Sequence, residues 1–178
     1  MNGSILNSLA LRTSVNILQI NKFFYARGGA ETVFLETIDG LRAHGHHVAE
    51  FAMHHPKNLP SAYQAYFASE MPELLGRQSL YQQWQTFVRL FYSSEINKKL
   101  RSLIKKEQIQ VAHIHNAYHH LSASSFTTLF AAKIPVVLTL HDVFPLCPNH
   151  SLLRGETLDE AAYKGKTYTC IRYRCINN

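Results

Sequence analysis

Four of the chain's 11 histidines fall in one stretch, HIHNAYHH, residues 113–120. His113 and His115 are two apart, and on a strand that spacing puts both side chains on one face. With His119, His120, His141 and Asp142 they are residue types that bind zinc. The stretch itself supplies no carboxylate, which a dinuclear hydrolase would need, so no metal is expected. One histidine of the pair is expected to pack or hydrogen-bond inside. His115, at the strand end and followed by Asn116, is expected to reach a cleft, where imidazole can hydrogen-bond a hydroxyl or balance a developing charge.

A second candidate is ARGGAE, residues 26–31. Gly28 and Gly29 stand between an apolar run and an amphipathic one, with Arg27 beside them. Two readings are open. The pair is a tight turn that needs positive φ, or it is bare backbone at a helix N-terminus, where unpaired N–H groups and a partial positive charge can hold an anion. The G-x-G-x-x-G dinucleotide fingerprint is absent. Gly165-Lys166-Thr167 imitates the end of a phosphate loop, but Glu160 stands where the earlier glycine is required. Cys147, Cys170 and Cys175 are an odd set with a four-residue gap, a weak ligand set read as buried thiols.

Positioning these residues calls for a parallel sheet. VNILQIN (15–21) is a short apolar run suited to a strand covered on both faces. Ala30, Phe34, Ile38 and Leu41 then form a helical stripe, with His44 in its last turn and Gly45 as C-cap. HVAEFAM (47–53) completes a strand-helix-strand crossover. Leu80, Trp84, Phe87, Val88 and Phe91 make one further helical stripe, and Ile96, Leu100, Leu103 and Ile104 the next. VAHIH (111–115) is the third strand. Ser122 is read as the cap of a helix carrying Leu121, Phe126, Leu129 and Phe130, and VVLTLH after Pro135 is the fourth strand. The order predicts an α/β, Rossmann-like parallel sheet with helices on both faces. ARGGAE, HNAYHH and HDVFPLCPN then all follow carboxyl ends of strands, where such sheets bind ligands.

The net charge of +6 and pI of about 9.3 favour anionic partners. Lys98, Lys99, Arg101, Lys105 and Lys106 are spaced as a solvated helix face rather than a nucleic-acid patch, so no nucleic acid is expected. No apolar run approaches the ~18 residues of a membrane span. Residues 1–14 make a poor signal peptide and are read as an N-terminal extension, which gives a cytoplasmic expectation.

Gln19 to Phe24 (QINKFF), Arg27 to Thr32 (RGGAET), His113 to Ser122 (HIHNAYHHLS), Val136 to Asp142 (VVLTLHD) and Cys147 to Asn149 (CPN) together resemble the N-terminal half of glycosyltransferase family 4. These are retaining GT-B enzymes that build bacterial polysaccharides and lipopolysaccharides. The resemblance runs from about Val15 to the end and favours the ligand-holding reading of the glycines. It implies an acceptor-side Rossmann-like domain over 15–178 and, as an expectation, a chain truncated before the donor-binding domain and inactive alone. It further implies that Gly28 and Gly29 lie near the donor diphosphate, that His115 lines the reaction centre, and that His141 and Asp142 shape the same cleft. No metal or other cofactor is implied. The partners implied are a nucleotide-sugar, bound only with a complementary donor domain, and a glycan or lipid-linked acceptor. Contact with the inner face of the membrane and weak self-association of a half-enzyme's exposed surface are also expected. Two alternatives stand beside this reading: a non-catalytic module binding a glycan, phospholipid or partner, and a metal-dependent hydrolase.

Overall fold

The computed structural model describes residues 14–71, 79–117, 119–143, 147, 152–154, 156–166, 168 and 172. The expected extension lies almost wholly outside them, as do Cys170 and Cys175. The chain divides into two compact units, Met1–Thr139 and Leu140–Asn178.

The first unit is the expected sheet. Four strands, β1 (Asn16–Ile20), β2 (His47–Phe51), β3 (Val111–Ile114) and β4 (Val136–Leu138), pair in the order β2-β1-β3-β4, every pair parallel. Alternation along the strands sorts the side chains. Leu18 and Ile20 of β1, Ala49 and Phe51 of β2, and Ala112 and Ile114 of β3 turn to one face, against Ile96, Leu100 and Leu103 of α3 (Ser94–Lys106) and Leu129 of α4 (Ser124–Ala131). On the other face Val48 packs with Phe34 and Ile38 of α1 (Gly29–Ala43). Helices therefore cover both faces. Each fully buried Leu, Ile or Phe contributes about 1.5–3 kcal/mol of transfer free energy.

The helix ends follow local chemistry. Gly45 takes φ +84°, and the amides of Gly45 and His46 return to Arg42 and Leu41, closing α1 as expected of a C-cap glycine. Ser93 caps α3 by accepting from the Ile96 amide at 3.3 Å. Ser122 does not cap α4. It sits at φ +60° and its Oγ accepts from the Ser124 amide at 3.2 Å, so it is the turn residue before the helix, and Ala123 occupies the cap position.

The stripe on α2 (Leu80–Phe91) also differs from an ordinary core face. Trp84, Phe87, Val88 and Phe91 are exposed, while Thr86 is buried and Leu90 half-buried on the inner side. The helix is anchored by backbone partners: Leu90 accepts from Ala123, and Arg89 donates to the carbonyls of Ser69 and Glu70.

In the second unit β5 (Leu153–Arg154) and β6 (Thr157–Leu158) pair antiparallel, followed by the single turn α5 (Glu160–Tyr163). Cys147 is buried there, packed against Leu152.

Candidate functional site

The carboxyl end of the sheet is tied together by side-chain amides. Past β1, the buried Asn21 accepts from the Asn116 amide at 3.0 Å and donates to the Phe23 carbonyl at 2.9 Å. Lys22 donates its amide to the Asn116 carbonyl, and His115 donates its amide to Ile20 at 2.8 Å. The loops after β1 and β3 thus form one fixed edge.

Beneath α1 the strands carry a polar row. Register sets Glu50 of β2, Gln19 of β1 and His113 of β3 side by side. Gln19 is fully buried and bridges both histidines, with Oε1 3.2 Å from His115 Nε2 and Nε2 3.3 Å from His113 Nδ1. With the amide oriented this way, His115 Nε2 is the protonated nitrogen, and His113 accepts at Nδ1. His113 then carries its proton on Nε2 and donates to Thr139 Oγ1 at 2.8 Å. The chain of bonds runs in one sense from His115 to Thr139. Glu50 is held separately by Arg42 and by the Ser61 hydroxyl at 2.9 Å.

The two histidines differ from expectation in depth. His113 is half-buried, whereas His115, expected to open to the cleft, is 1% exposed. Its ring meets the edge of Phe34 at 5.3 Å and lies 4.1 Å from that of His113. Sharing a strand face does not fix depth: the Phe34 ring from α1 closes over the strand end. Among the described residues no three His, Cys, Asp or Glu side chains gather as metal ligands would.

At the start of α1 the geometry removes one reading of the glycine pair. Gly28 has φ −162° and ψ −171°, extended backbone open to any residue, and Gly29 is already helical. A Cβ on Gly29 would meet nothing within 4 Å, and one on Gly28 would meet only Glu31 Oε2 at 3.6 Å, an ordinary contact. Neither positive φ nor packing calls for glycine. The result is a bare backbone surface at a helix N-terminus without a side-chain cap, whose first N–H groups lack intrahelical acceptors. Thr32 closes the first turn, its amide and hydroxyl both reaching the Gly28 carbonyl at 3.0 Å. Arg27 is exposed, with its guanidinium over the Phe23 ring, 5.0 Å from the centroid.

Two further acceptors lie at this end of the sheet, one in the first turn of α1 and one just past β3. Glu31, in the first turn of α1, is 5% exposed, and Asn116 is 7% exposed. Glu31 Oε1 and Asn116 Oδ1 are buried, and no donor among the described residues reaches either. Sequence reasoning singled out Asn116 but passed over Glu31. The available signal was a carboxylate placed directly after a glycine pair at a helix start.

Arg27, Gly28 and Gly29 at the α1 N-terminus and His115 and Asn116 at the β3 end are thus brought to one edge of the first unit. His141 and Asp142, both half-buried, belong to the second unit. The Cys147 end of the CPN motif is buried, and the rest of that motif lies outside the described residues.

The perturbed acids lie elsewhere. Burial alone would push the Glu95 carboxyl up, but hydrogen bonds from Ser69 and Lys99 outweigh it and hold the group at about 2. Burial raises the Tyr63 phenol, helped by Glu107 and Glu50.

A family model described as Glycosyltransferase Family 4 matches residues 27–171. The chain belongs to glycosyltransferase family 4. The match begins at Arg27, so the bare α1 N-terminus, Glu31 and the His115–Asn116 strand end all fall within it. No curated protein matches the chain. The parallel Rossmann-like sheet agrees with a GT-B half-domain. Membership of family 4 supports a glycosyltransferase-type role, with a nucleotide-sugar donor and an acceptor as the general ligands. No helix among the described residues is long and apolar enough to cross a membrane.

Proposed function

We propose that residues 15–178 are the acceptor-side domain of a retaining glycosyltransferase, working with a donor-binding domain on a polysaccharide or lipopolysaccharide-type acceptor at the cytoplasmic side of the membrane. The observation that carries this reading is that the carboxyl end of the sheet holds a bare helix N-terminus and two buried acceptors without donors among the described residues, Glu31 Oε1 and Asn116 Oδ1. A sugar offers many hydroxyl donors. Two buried acceptors suit such a ligand, because leaving them unpaired costs about 1–3 kcal/mol each, more where the group is charged.

The roles divide by charge. Glu31 and Asn116 accept from acceptor-sugar hydroxyls and fix the nucleophilic oxygen. The first amides of α1, with Arg27 swung off Phe23, face the donor diphosphate, whose charge grows as the glycosidic bond breaks. His115, at the reaction centre, is fixed by Gln19 and Phe34 and sets the position of Asn116 next to it. Stabilising the departing diphosphate needs the donor domain as well, so residues 1–178 alone turn over no nucleotide-sugar.

The test is equilibrium binding of oligosaccharide acceptors and of nucleoside diphosphates to the chain and to Glu31→Gln. Exchanging the charged acceptor for a neutral amide oxygen weakens acceptor binding by roughly tenfold, while diphosphate binding holds or improves as a negative charge is removed. Weakened diphosphate binding with unchanged acceptor binding would overturn the assignment of Glu31. Sugar transfer above background by the chain alone would overturn its dependence on a partner domain.

A further inference from the structure

The outward face of α2 is built against the usual rule. Tyr81, Trp84, Phe87, Val88 and Phe91 recur at helical spacing on one side, and Trp84 and Phe91 are 62% and 63% exposed. Phe87 and Phe91 pack on each other, ring centroids 5.2 Å apart, and Tyr92 extends the patch just past the helix. The opposite side carries buried Thr86 and half-buried Leu90, so the helix is seated with its largest apolar groups facing out. Contiguous aromatic exposure of this kind marks a surface that something covers.

Charge indicates what covers it. α2 contains no acidic residue. Residues 80–106 hold six Lys and Arg against one acid, Glu95, a net +5 of the whole chain's +6. Of the six, Arg89 is engaged with Ser69, Glu70 and Glu95, and Lys99 with Glu95 and the Phe67 carbonyl. Lys98, Arg101 and Lys105 are exposed, on the side of α3 opposite the buried Ile96, Leu100 and Leu103, and none has an ion-pair partner among the described residues. Only two residues, Tyr92 and Ser93, separate the aromatic helix from this cationic one. Trp and Tyr favour the bilayer interface, and basic residues nearby attract anionic headgroups over a Debye length.

We propose that α2 lies in the interface of an anionic lipid bilayer, its Tyr81–Trp84–Phe87–Phe91 face inserted, with Lys98, Arg101 and Lys105 of α3 drawing it to acidic headgroups. This is the geometry of an amphipathic helix lying in the membrane plane rather than one that crosses it. Docking here asks nothing of the corner at Gly29 and Glu31, so either assignment can fail alone.

Trp84 is the chain's sole tryptophan and makes its own reporter. Its emission is recorded as vesicles are added, either phosphatidylcholine alone or phosphatidylcholine mixed with phosphatidylglycerol. The expected result is a saturable blue shift with the anionic vesicles and little with the neutral ones, weakened by added salt. Lys98→Gln, Arg101→Gln and Lys105→Gln each weaken binding by roughly fivefold, and Phe91→Ala by about tenfold, with unchanged circular dichroism. No shift with anionic vesicles would overturn the proposal. So would a shift that grows with protein concentration without vesicles, because the face would then belong to a second copy of the chain. An equal shift with neutral vesicles would overturn the role given to the α3 cations.

Discussion

Replacing Gly29 by alanine separates a glycine kept for folding from one kept for a ligand. Gly29 is the first residue of α1, its backbone is helical, and an added Cβ meets nothing within 4 Å. The substitution therefore creates no clash and no strain. Alanine has the higher helix propensity and the less flexible unfolded chain, which together stabilise by up to about 1 kcal/mol. For a domain of this size that corresponds to a melting temperature unchanged or raised by ~2–4 °C. Binding should move the other way. The methyl group projects into the space where a phosphate oxygen would meet the first amides of α1. Losing one charge-assisted hydrogen bond there costs about 1.5–3 kcal/mol, tenfold or more in affinity. Thermal unfolding and calorimetric titration with a nucleoside diphosphate, run on the same preparations, read both quantities. A Gly29→Ala protein destabilised by more than about 1 kcal/mol would make the glycine a folding requirement. A stable variant with unchanged affinity would mean that the bare surface holds no ligand.

Three further outcomes follow from named contacts. Gln19→Ala leaves His115 Nε2 and His113 Nδ1 without their shared partner in a buried site; urea unfolding should show a loss of roughly 2–5 kcal/mol, and a loss under 1 would mean the bridge contributes little. Phe34→Ala removes a fully buried ring that also covers His115; it should cost about 3–5 kcal/mol, and hydrogen exchange should rise at the β3 end. Glu95 has a folded value of about 2 against an ordinary 4.5, so its contribution is complete above the unfolded value and is lost as pH falls towards 2. With its side chain 31% exposed, screening discounts that contribution to roughly 1–2 kcal/mol. Unfolding of wild type and Glu95→Gln should differ by this much at neutral pH and converge in acid, whereas a gap that does not change with pH would refute the assignment.

The strands were legible because their apolar runs suit a sheet covered on both faces. Polar residues inside those runs were not. Gln19, Glu50 and His113 sit several tens of residues apart, and only the parallel register makes them one row beneath α1. Depth was equally hidden. The strand-end position suggested an open His115, but Phe34, from a different element, closes over it. Periodicity located the α2 stripe yet could not say that it faces outward, since that depends on what seats Thr86 and Leu90. Glu31 was missed because a carboxylate in a first helical turn ordinarily reads as favourable pairing with the helix dipole. Only its burial, with no donor to Oε1 among the described residues, sets it apart from an ordinary first-turn carboxylate.

The most direct test of the acceptor-side assignment is a two-dimensional NMR titration of the labelled chain with an acceptor-type oligosaccharide. The account predicts saturable shifts confined to the amides of Arg27–Thr32 and His115–Ala117, with Glu31→Gln raising the concentration needed for saturation by roughly tenfold. Shifts clustered elsewhere on the sheet, or none that saturate, would contradict it.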